Sequence, residues 1–526
     1  MTSAQGPRAR AALASRLRAV AAVMLPDLPH QIDDPAHDAA RVLSALTESV
    51  LDDPTDSRIW LVMSGISAAY PTRDEVDQTR RTLELSTADE SALYLLESGL
   101  SRAMLWGEPT APIEVVAGRV IVDVDFTARH DLHSGIQRVV RSTLPHWNVD
   151  RQITPAAWNR NVGILRNLDP AEAARIYQWS LLDKARESPN TRRGSGTGRR
   201  AGIGEHPEPD GVEPRVLIPF ECVIVLPEVP PVGAAGRIAA LGACSDSGIV
   251  AIGYDTIPLV SADTVSIEEP TKFMPYLSAL KFADRIAGIS DSAAEEFASF
   301  AAMLSTQGLA GPRVVSVPLP ADLGGGSSSA VPAATGSPSV VVVGSHDPRK
   351  NHLAILHAAE LLWQEGLDFQ LTFIGAGGSN QEFYRRVELL EVRGRQVDVR
   401  LSVSEAELNH AVASARFTVF PSLHEGYGLP VAESIALGTP VITTNFGSTA
   451  EIAAGGGALT VDPYRDAALT DAMRLLLTDD TEIARLRAEI HGRTERSWQT
   501  YADELWAAIV EPGLSALARP GVHEGR

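Results

Sequence analysis

The sequence predicts an α/β protein of two doubly wound, parallel-sheet domains with a helical region in front. Three observations carry this expectation. From about residue 113, short β-branched runs alternate with helix-patterned segments. A Gly-, Ser-, Ala- and Pro-rich stretch at 324–337 interrupts the alternation and has the composition of an interdomain linker. The alternation then restarts. Near-continuous apolar strands separated by helices are the signature of a parallel sheet covered on both faces.

The first 112 residues have a different pattern. Segments 39–51, 73–85 and 90–104 show helical apolar spacing, with Pro and Asp at the breaks. Leu13, Leu17, Val20 and Met24 share one face at helical spacing, and the arginines around them mostly lie elsewhere. The arginines that break the approach to 19–25, and the lack of a small-residue cleavage site, argue against a signal peptide. The apolar face is expected to dock on the protein; the alternative is peripheral contact with an anionic membrane surface. This region holds no catalytic constellation and reads as a packing or partner-docking extension.

The first sheet is expected from runs at 120–124, 223–226, 249–254, 285–289 and 314–317. Residues 186–213 read as a mobile loop, whose pairs Arg192-Arg193 and Arg199-Arg200 are solvated. The second sheet is expected from 340–343, 371–374, 399–401, 417–420 and 441–444. A helix around 498–505 is expected to return to the first domain. The domains are therefore drawn at 1–112, 113–323, 338–490 and 491–526. Two such domains place a ligand in the cleft between them, at the carboxyl ends of the strands.

Composition narrows the function. A chain of 526 residues exceeds one core. The net charge of −20 argues against nucleic acid as the main partner. Two cysteines, Cys222 and Cys244, make no disulfide framework and read as buried thiols in a reducing, cytoplasmic compartment. No stretch reaches the roughly 18 uncharged apolar residues of a membrane span.

Chemistry concentrates in Pro421-Ser422-Leu423-His424-Glu425-Gly426-Tyr427-Gly428-Leu429-Pro430-Val431-Ala432-Glu433, just after an apolar run. This reads as strand, glycine turn, helix, with Pro430 suited to the first helical turn. The turn aims backbone N–H groups and a helix dipole beyond the strand end. Glu433 alone would pass as an acid complementing the dipole. A second acid eight positions earlier, with Gly-x-Gly and Pro between, instead suits a polyhydroxylated, phosphorylated ligand. The second domain's first strand ends at Gly344 and leads to Arg349-Lys350, two cations able to neutralise a diphosphate.

These motifs resemble those of the retaining nucleotide-sugar glycosyltransferases of GT-B fold, in the large family numbered 4. Its hallmark is two acids separated by seven residues, within Pro-Ser-x-x-Glu-Gly-[Phe/Tyr]-Gly-Leu-Pro-x-x-Glu. The Pro-Arg-Lys-Asn run at 348–351 is similar to the family's phosphate-binding motif, as its mannosyltransferase-like polysaccharide branch writes it. The segments at 131–139, 254–258 and 283–290 extend the resemblance, which covers about 118–510 and not the N-terminal helices.

The resemblance implies transfer of a hexose, mannose favoured, from a nucleotide diphosphate sugar to a hydroxyl of a glycan or lipid-linked acceptor, with retention. It implies that Arg349 and Lys350 bind the donor diphosphate and that Glu433 holds the ribose hydroxyls. Glu425 would contact the transferred sugar, with Gly426, Tyr427, Gly428 and Leu429 offering N–H groups. Gly135 would let the first-domain loop approach the donor, and Asp255 would face the sugar from that side. No cofactor or metal is expected beyond the nucleotide-sugar co-substrate. Base contacts are expected near 401–404. The sequence departs from the family at Tyr254, where relatives often have His, and at Ser345, where other branches have Arg.

Three competing motifs are set aside. Asp123-Val124-Asp125 is a DxD, which in GT-A enzymes holds a metal, but it ends a buried-type strand here. The glycine run at 375–380 lacks the third glycine of a dinucleotide fingerprint. His346, His352, His410 and His424 lack metal-ligand spacing and read as helix-end or surface residues. A GT-B epimerase or phosphorylase, and a non-catalytic scaffold working through the N-terminal helices, remain the alternatives.

Overall fold

The computed structural model describes residues 5–29, 35–105, 109–132, 134–159, 163–179, 215–320, 337–378, 380–494 and 496–517. The loop expected over 186–213 and nearly all of the linker over 324–337 lie outside these residues.

Five helices open the chain: α1 (Gln5–Met24), α2 (Pro35–Asp52), α3 (Asp56–Ser67), α4 (Arg73–Leu83) and α5 (Ala88–Leu105). Helix α3 is absent from the sequence expectation for a physical reason. Ile59, Trp60, Leu61, Val62, Met63 and Ile66 are all buried, so the helix is apolar all round and shows no one-sided stripe. The apolar face of α1 is used inside the protein, with Leu17, Val20 and Ala21 buried. Val20 packs so close to Gly65 that a Cβ there would sit 2.3 Å from its Cγ2.

Arg16 is an exception to the expectation that the arginines mostly lie elsewhere. It is 1% exposed. Its guanidinium donates to Gly65 O (3.0 Å) and Ile66 O (3.0 Å), satisfying carbonyls at the end of α3, and to Pro109 O (2.8 Å) ahead of the first strand. Burial lowers its pKa to about 10. The helical layer shares a hydrophobic core with the first sheet, and Tyr70 Oη donates across to Leu217 O at 2.6 Å.

The first sheet has nine strands: β1 (Ile113–Ala117), β2 (Val120–Asp123), β3 (Ile153–Asn159), β4 (Ile164–Asn167), β5 (Val216–Phe220), β6 (Val223–Leu226), β7 (Gly248–Gly253), β8 (Arg285–Gly288) and β9 (Arg313–Ser316). Their order is β1-β5-β4-β3-β2-β6-β7-β8-β9, and β4 runs antiparallel to both neighbours. The sequence runs locate β2 and β6 to β9. They miss β1, β3, β4 and β5, where Glu114, Pro155, Asn159, Arg166 and Pro219 break the apolar pattern.

The second sheet is wholly parallel, in the order β12-β11-β10-β13-β14-β15. Its strands are β10 (Ser339–Val343), β11 (Gln370–Ile374), β12 (Val397–Arg400), β13 (Phe417–Phe420), β14 (Val441–Thr444) and β15 (Ala458–Val461). The strand order reverses between β10 and β13, which makes their carboxyl ends a switch point. The helix Trp498–Leu505 returns to the first domain, where Tyr501, Leu505, Ile509 and Val510 are core residues and Trp147 Nε1 donates to Ala502 O at 2.9 Å. Two doubly wound domains facing a shared cleft make this a GT-B fold. Cys222 and Cys244 are buried free thiols. Among the described residues no helix is long and apolar enough to cross a membrane.

Candidate active site

The turn after β13 is held from three sides. Thr444 Oγ1 donates to Ser422 O (2.6 Å), Ser448 Oγ donates to Glu425 O (2.8 Å), and Leu423 N donates to Arg349 O (2.9 Å). Gly428 starts the helix Leu429–Ala436 at φ +102°, a conformation glycine adopts without a Cβ penalty. The turn Pro348–Lys350 follows β10 and brings both cations onto the same carboxylate. Lys350 Nζ lies 2.5 Å from Glu425 Oε1, and Arg349 Nη1 lies 2.7 Å from it. Ser422 Oγ donates to that oxygen at 2.6 Å, and the ammonium sits 4.8 Å from the centre of the Phe420 ring. Burial alone would raise the Glu425 pKa; the charges of Lys350 and Arg349 outweigh it and hold it at about 2. Burial lowers the Lys350 pKa, against the pull of Glu425. Gly344, at φ +147°, runs beside the Lys350 stem.

The first domain closes over this turn. A Cβ on Gly426 would lie 2.2 Å from Tyr254 O and 3.2 Å from Asp255 Cβ, so no larger residue fits. Ser290 Oγ donates to Gly426 O (2.6 Å), and Tyr427 Oη donates to Leu319 O (2.6 Å). The helix Gly135–Asp150 starts against the second domain: a Cβ on Gly135 would sit 3.0 Å from Leu429 Cδ1. Glu433 pairs with Arg138 of that same helix. Burial raises the Glu433 pKa, and Arg138 opposes the rise. Asp255 accepts from Ile257 N (3.1 Å); burial raises its pKa, with Arg349 opposing. Tyr254, at the family's histidine position, donates to Pro227 O (2.6 Å), and Ser345 bonds to Asp347 (2.5 Å). A cavity of about 300 Å³ opens beside Asp255, walled by Ile136, Val232, Tyr254, Pro258, Phe273 and Tyr276.

The structure thus gathers Glu425, Arg349, Lys350, Gly344, Gly426, Tyr427, Gly428, Leu429 and Glu433 on one wall of a cleft. Gly135 and Asp255 lie on the other. Sequence reasoning missed Arg138 as the partner of Glu433, although the residue lies within a quoted segment. It also misplaced His424 and His346, whereas His352 does begin the helix His352–Gln364. His424 is not a surface residue: Nε2 lies 2.6 Å from Glu296 Oε1 and Nδ1 lies 2.8 Å from Ser261 Oγ, bridging the domains. Glu296 in turn accepts from Thr256 N and Oγ1. His346 and His352 are fully buried against Phe373 and Phe383, and burial takes the His352 pKa down to about 3. His410 is exposed.

The DxD acids are held internally. Asp123 accepts from Trp158 Nε1 (2.6 Å) and Asp125 N (3.2 Å), while Asp125 accepts from Arg129 Nε (2.7 Å) and Trp158 N (3.0 Å). Among the described residues no group of three or more His, Cys, Asp or Glu is placed to hold a metal ion.

Residues 328–494 match the family described as Glycosyl transferases group 1. The match covers most of the second domain and leaves the first domain and the N-terminal helices outside it. All of the cation and carboxylate positions of the second domain's cleft wall fall within that match. The chain is 32% identical over 162 residues to O-antigen chain mannosyltransferase B of Escherichia coli, covering 30% of this chain and 42% of that protein. It is 25% identical over 354 residues to serotype-specific mannosyltransferase WbdA of the same species, covering 64% and 38%. The matched stretches therefore span about two fifths of these relatives' own length. Among solved structures, sucrose-phosphate synthase from Thermosynechococcus elongatus superposes with a TM-score of 0.49 at 15% identity, over 76% of this chain and 99% of that one.

Proposed function

We propose that the protein transfers a hexose, mannose first among candidates, from a nucleoside diphosphate sugar to a hydroxyl of a glycan or lipid-linked glycan, with retention at the anomeric carbon. The observation that carries this reading is the pairing of Arg349 and Lys350 with Glu425 at the carboxyl end of β10, facing Asp255 across the cleft. In the ligand-free site the carboxylate stands where anionic or hydroxyl groups of a donor would compete for the two cations. With donor bound, the cations turn to the diphosphate and stabilise the charge that develops as the glycosidic C–O bond breaks. Glu425 is then free to accept from sugar hydroxyls, and Glu433 from the ribose.

The acceptor enters beside Asp255, in the cavity of the first domain. Its hydroxyl oxygen forms the new bond to the anomeric carbon, and its proton passes to the departing diphosphate. The reading calls for no covalent glycosyl intermediate and no metal; Arg349 and Lys350 supply the second domain's share of the positive charge facing the diphosphate. The tight domain contact at Gly426 excludes water from the reacting centre. The relatives favour a surface-polysaccharide acceptor, made on the cytoplasmic side with the enzyme free or resting on the inner membrane face.

Thermal unfolding with GDP, UDP, dTDP and ADP tests this reading. A nucleotide at about 100 Kd stabilises the native state by roughly 2.7 kcal/mol. A rise in Tm with one nucleotide, abolished by Glu433→Ala, is expected, followed by transfer assays with the matching sugar donors. No rise with any of the four, and no product from GDP-mannose, would sink it.

A further inference from the structure

Arg138 belongs to the first domain, yet its guanidinium closes on Glu433 of the second. The two side chains are only 15% and 20% exposed. Under the donor-site reading above, on which this inference rests, Glu433 must turn to the ribose hydroxyls. Arg138 would then be left as an unpaired, mostly enclosed cation, a costly state. Its surroundings are suited to an anion. It lies one turn into a helix whose first residue, Gly135, touches Leu429, the first residue of the helix that carries Glu433. Two helix N-termini, each a positive dipole end, therefore meet beside it. Arg349 and Lys350 share Glu425. With both glutamates ionised, those two cations only balance the carboxylates and leave a diphosphate uncompensated.

We infer that Arg138 exchanges partners on donor binding: it leaves Glu433 to the ribose and grips the donor's phosphate. It would thereby be the first domain's contribution to the diphosphate site and would tie donor occupancy to the closed cleft.

The test titrates the full chain with GDP, UDP, ADP and dTDP by calorimetry, and with the matching nucleosides by ligand-detected NMR. For the nucleotide that binds, Arg138→Gln should weaken the diphosphate about 10- to 100-fold, the size of one charged hydrogen bond. Nucleoside affinity should hold or improve, because Glu433 is released, and retained nucleoside binding shows that the variant is folded. Arg138→Lys should recover part of the loss. Suppose Arg138→Gln binds the diphosphate as tightly as wild type, or more tightly, while Lys350→Ala still weakens it. Arg138 is then only a latch that competes with the donor, and this inference fails while the donor site stands. If wild type binds none of the four diphosphates, the donor site itself is wrong and the inference falls with it.

Discussion

The carboxyl ends of β2 and β10 occupy similar places, each strand lying between parallel neighbours within its sheet. Both carry buried acids, yet their electrostatics are opposite. At β2, Asp123 and Glu228 meet backbone N–H groups, the Trp158 indole and the Thr127 hydroxyl. Burial and neighbouring acids push the Asp123 pKa well up and the Glu228 pKa to about 7. At β10, Glu425 meets Lys350 and Arg349, and its pKa falls to about 2. These donors are backbone N–H groups and buried neutral side chains of the first domain, so the β2 cluster is a structural joint. Cationic side chains can exchange a carboxylate for a phosphate, which makes the β10 cluster the candidate site.

The sharpest way to break this comparison is kinetic. Lys350→Ala should lower sugar transfer by roughly 30- to 1000-fold, about 2–4 kcal/mol of lost transition-state charge stabilisation. Glu433→Ala should act mainly on donor KM. Steady-state kinetics over a range of donor concentrations would show both. If Asp123→Ala lowered turnover as much as Lys350→Ala while remaining folded, the two clusters would not differ in role.

Next in size is the loss of the Glu425 charge. Glu425→Gln leaves Lys350 and Arg349 facing a neutral partner and should cost about 3 kcal/mol in urea unfolding, the lower end for breaking a buried pair. A depressed carboxyl stabilises the fold fully above its ordinary value of 4.5, and the contribution disappears as pH falls through its folded value of about 2. The gap between wild type and variant should therefore be constant from pH 8 to 5 and narrow below pH 4.5. A gap that instead widens in acid would contradict the assigned charge state.

Asp123→Ala should cost about 1–3 kcal/mol, because the buried Trp158 N–H loses its acceptor. Nucleotide affinity, read by calorimetry, should not change. The smallest effect is expected at a helix cap that joins the two domains. Glu451 accepts from Asp291 N (2.9 Å) and Ser292 N (2.7 Å), capping a first-domain helix from the second domain. Glu451→Ala should lower stability by about 1 kcal/mol, the usual cost of a lost cap, with little change in turnover.

Legibility in the sequence followed the distance over which each feature is built. The Glu425–Glu433 turn was readable because strand, glycine turn and helix lie within twenty consecutive residues, 417–436. The parallel strands β6 to β8 and β10, β11 and β13 were readable because burial on both faces leaves an unbroken apolar run. Strand β4 and helix α3 were not. An antiparallel insertion carries no such run, and a helix buried all round carries no stripe. Arg138–Glu433 spans 295 residues and His424–Glu296 spans 128, so neither pair leaves a local pattern.

The alternation of parallel strands and helices, the glycine turn after β13 and the residues able to carry charge were determined by the sequence alone, since each depends on local sterics and side-chain chemistry. Which acids are charged, which arginine is buried and which carboxylate faces which cation were decided only by the tertiary structure. Desolvation and Coulomb energy depend on burial and on distances between elements far apart in the chain. Burial therefore pushes the carboxyl pKa up at Asp123, while neighbouring cations hold it down at Glu425.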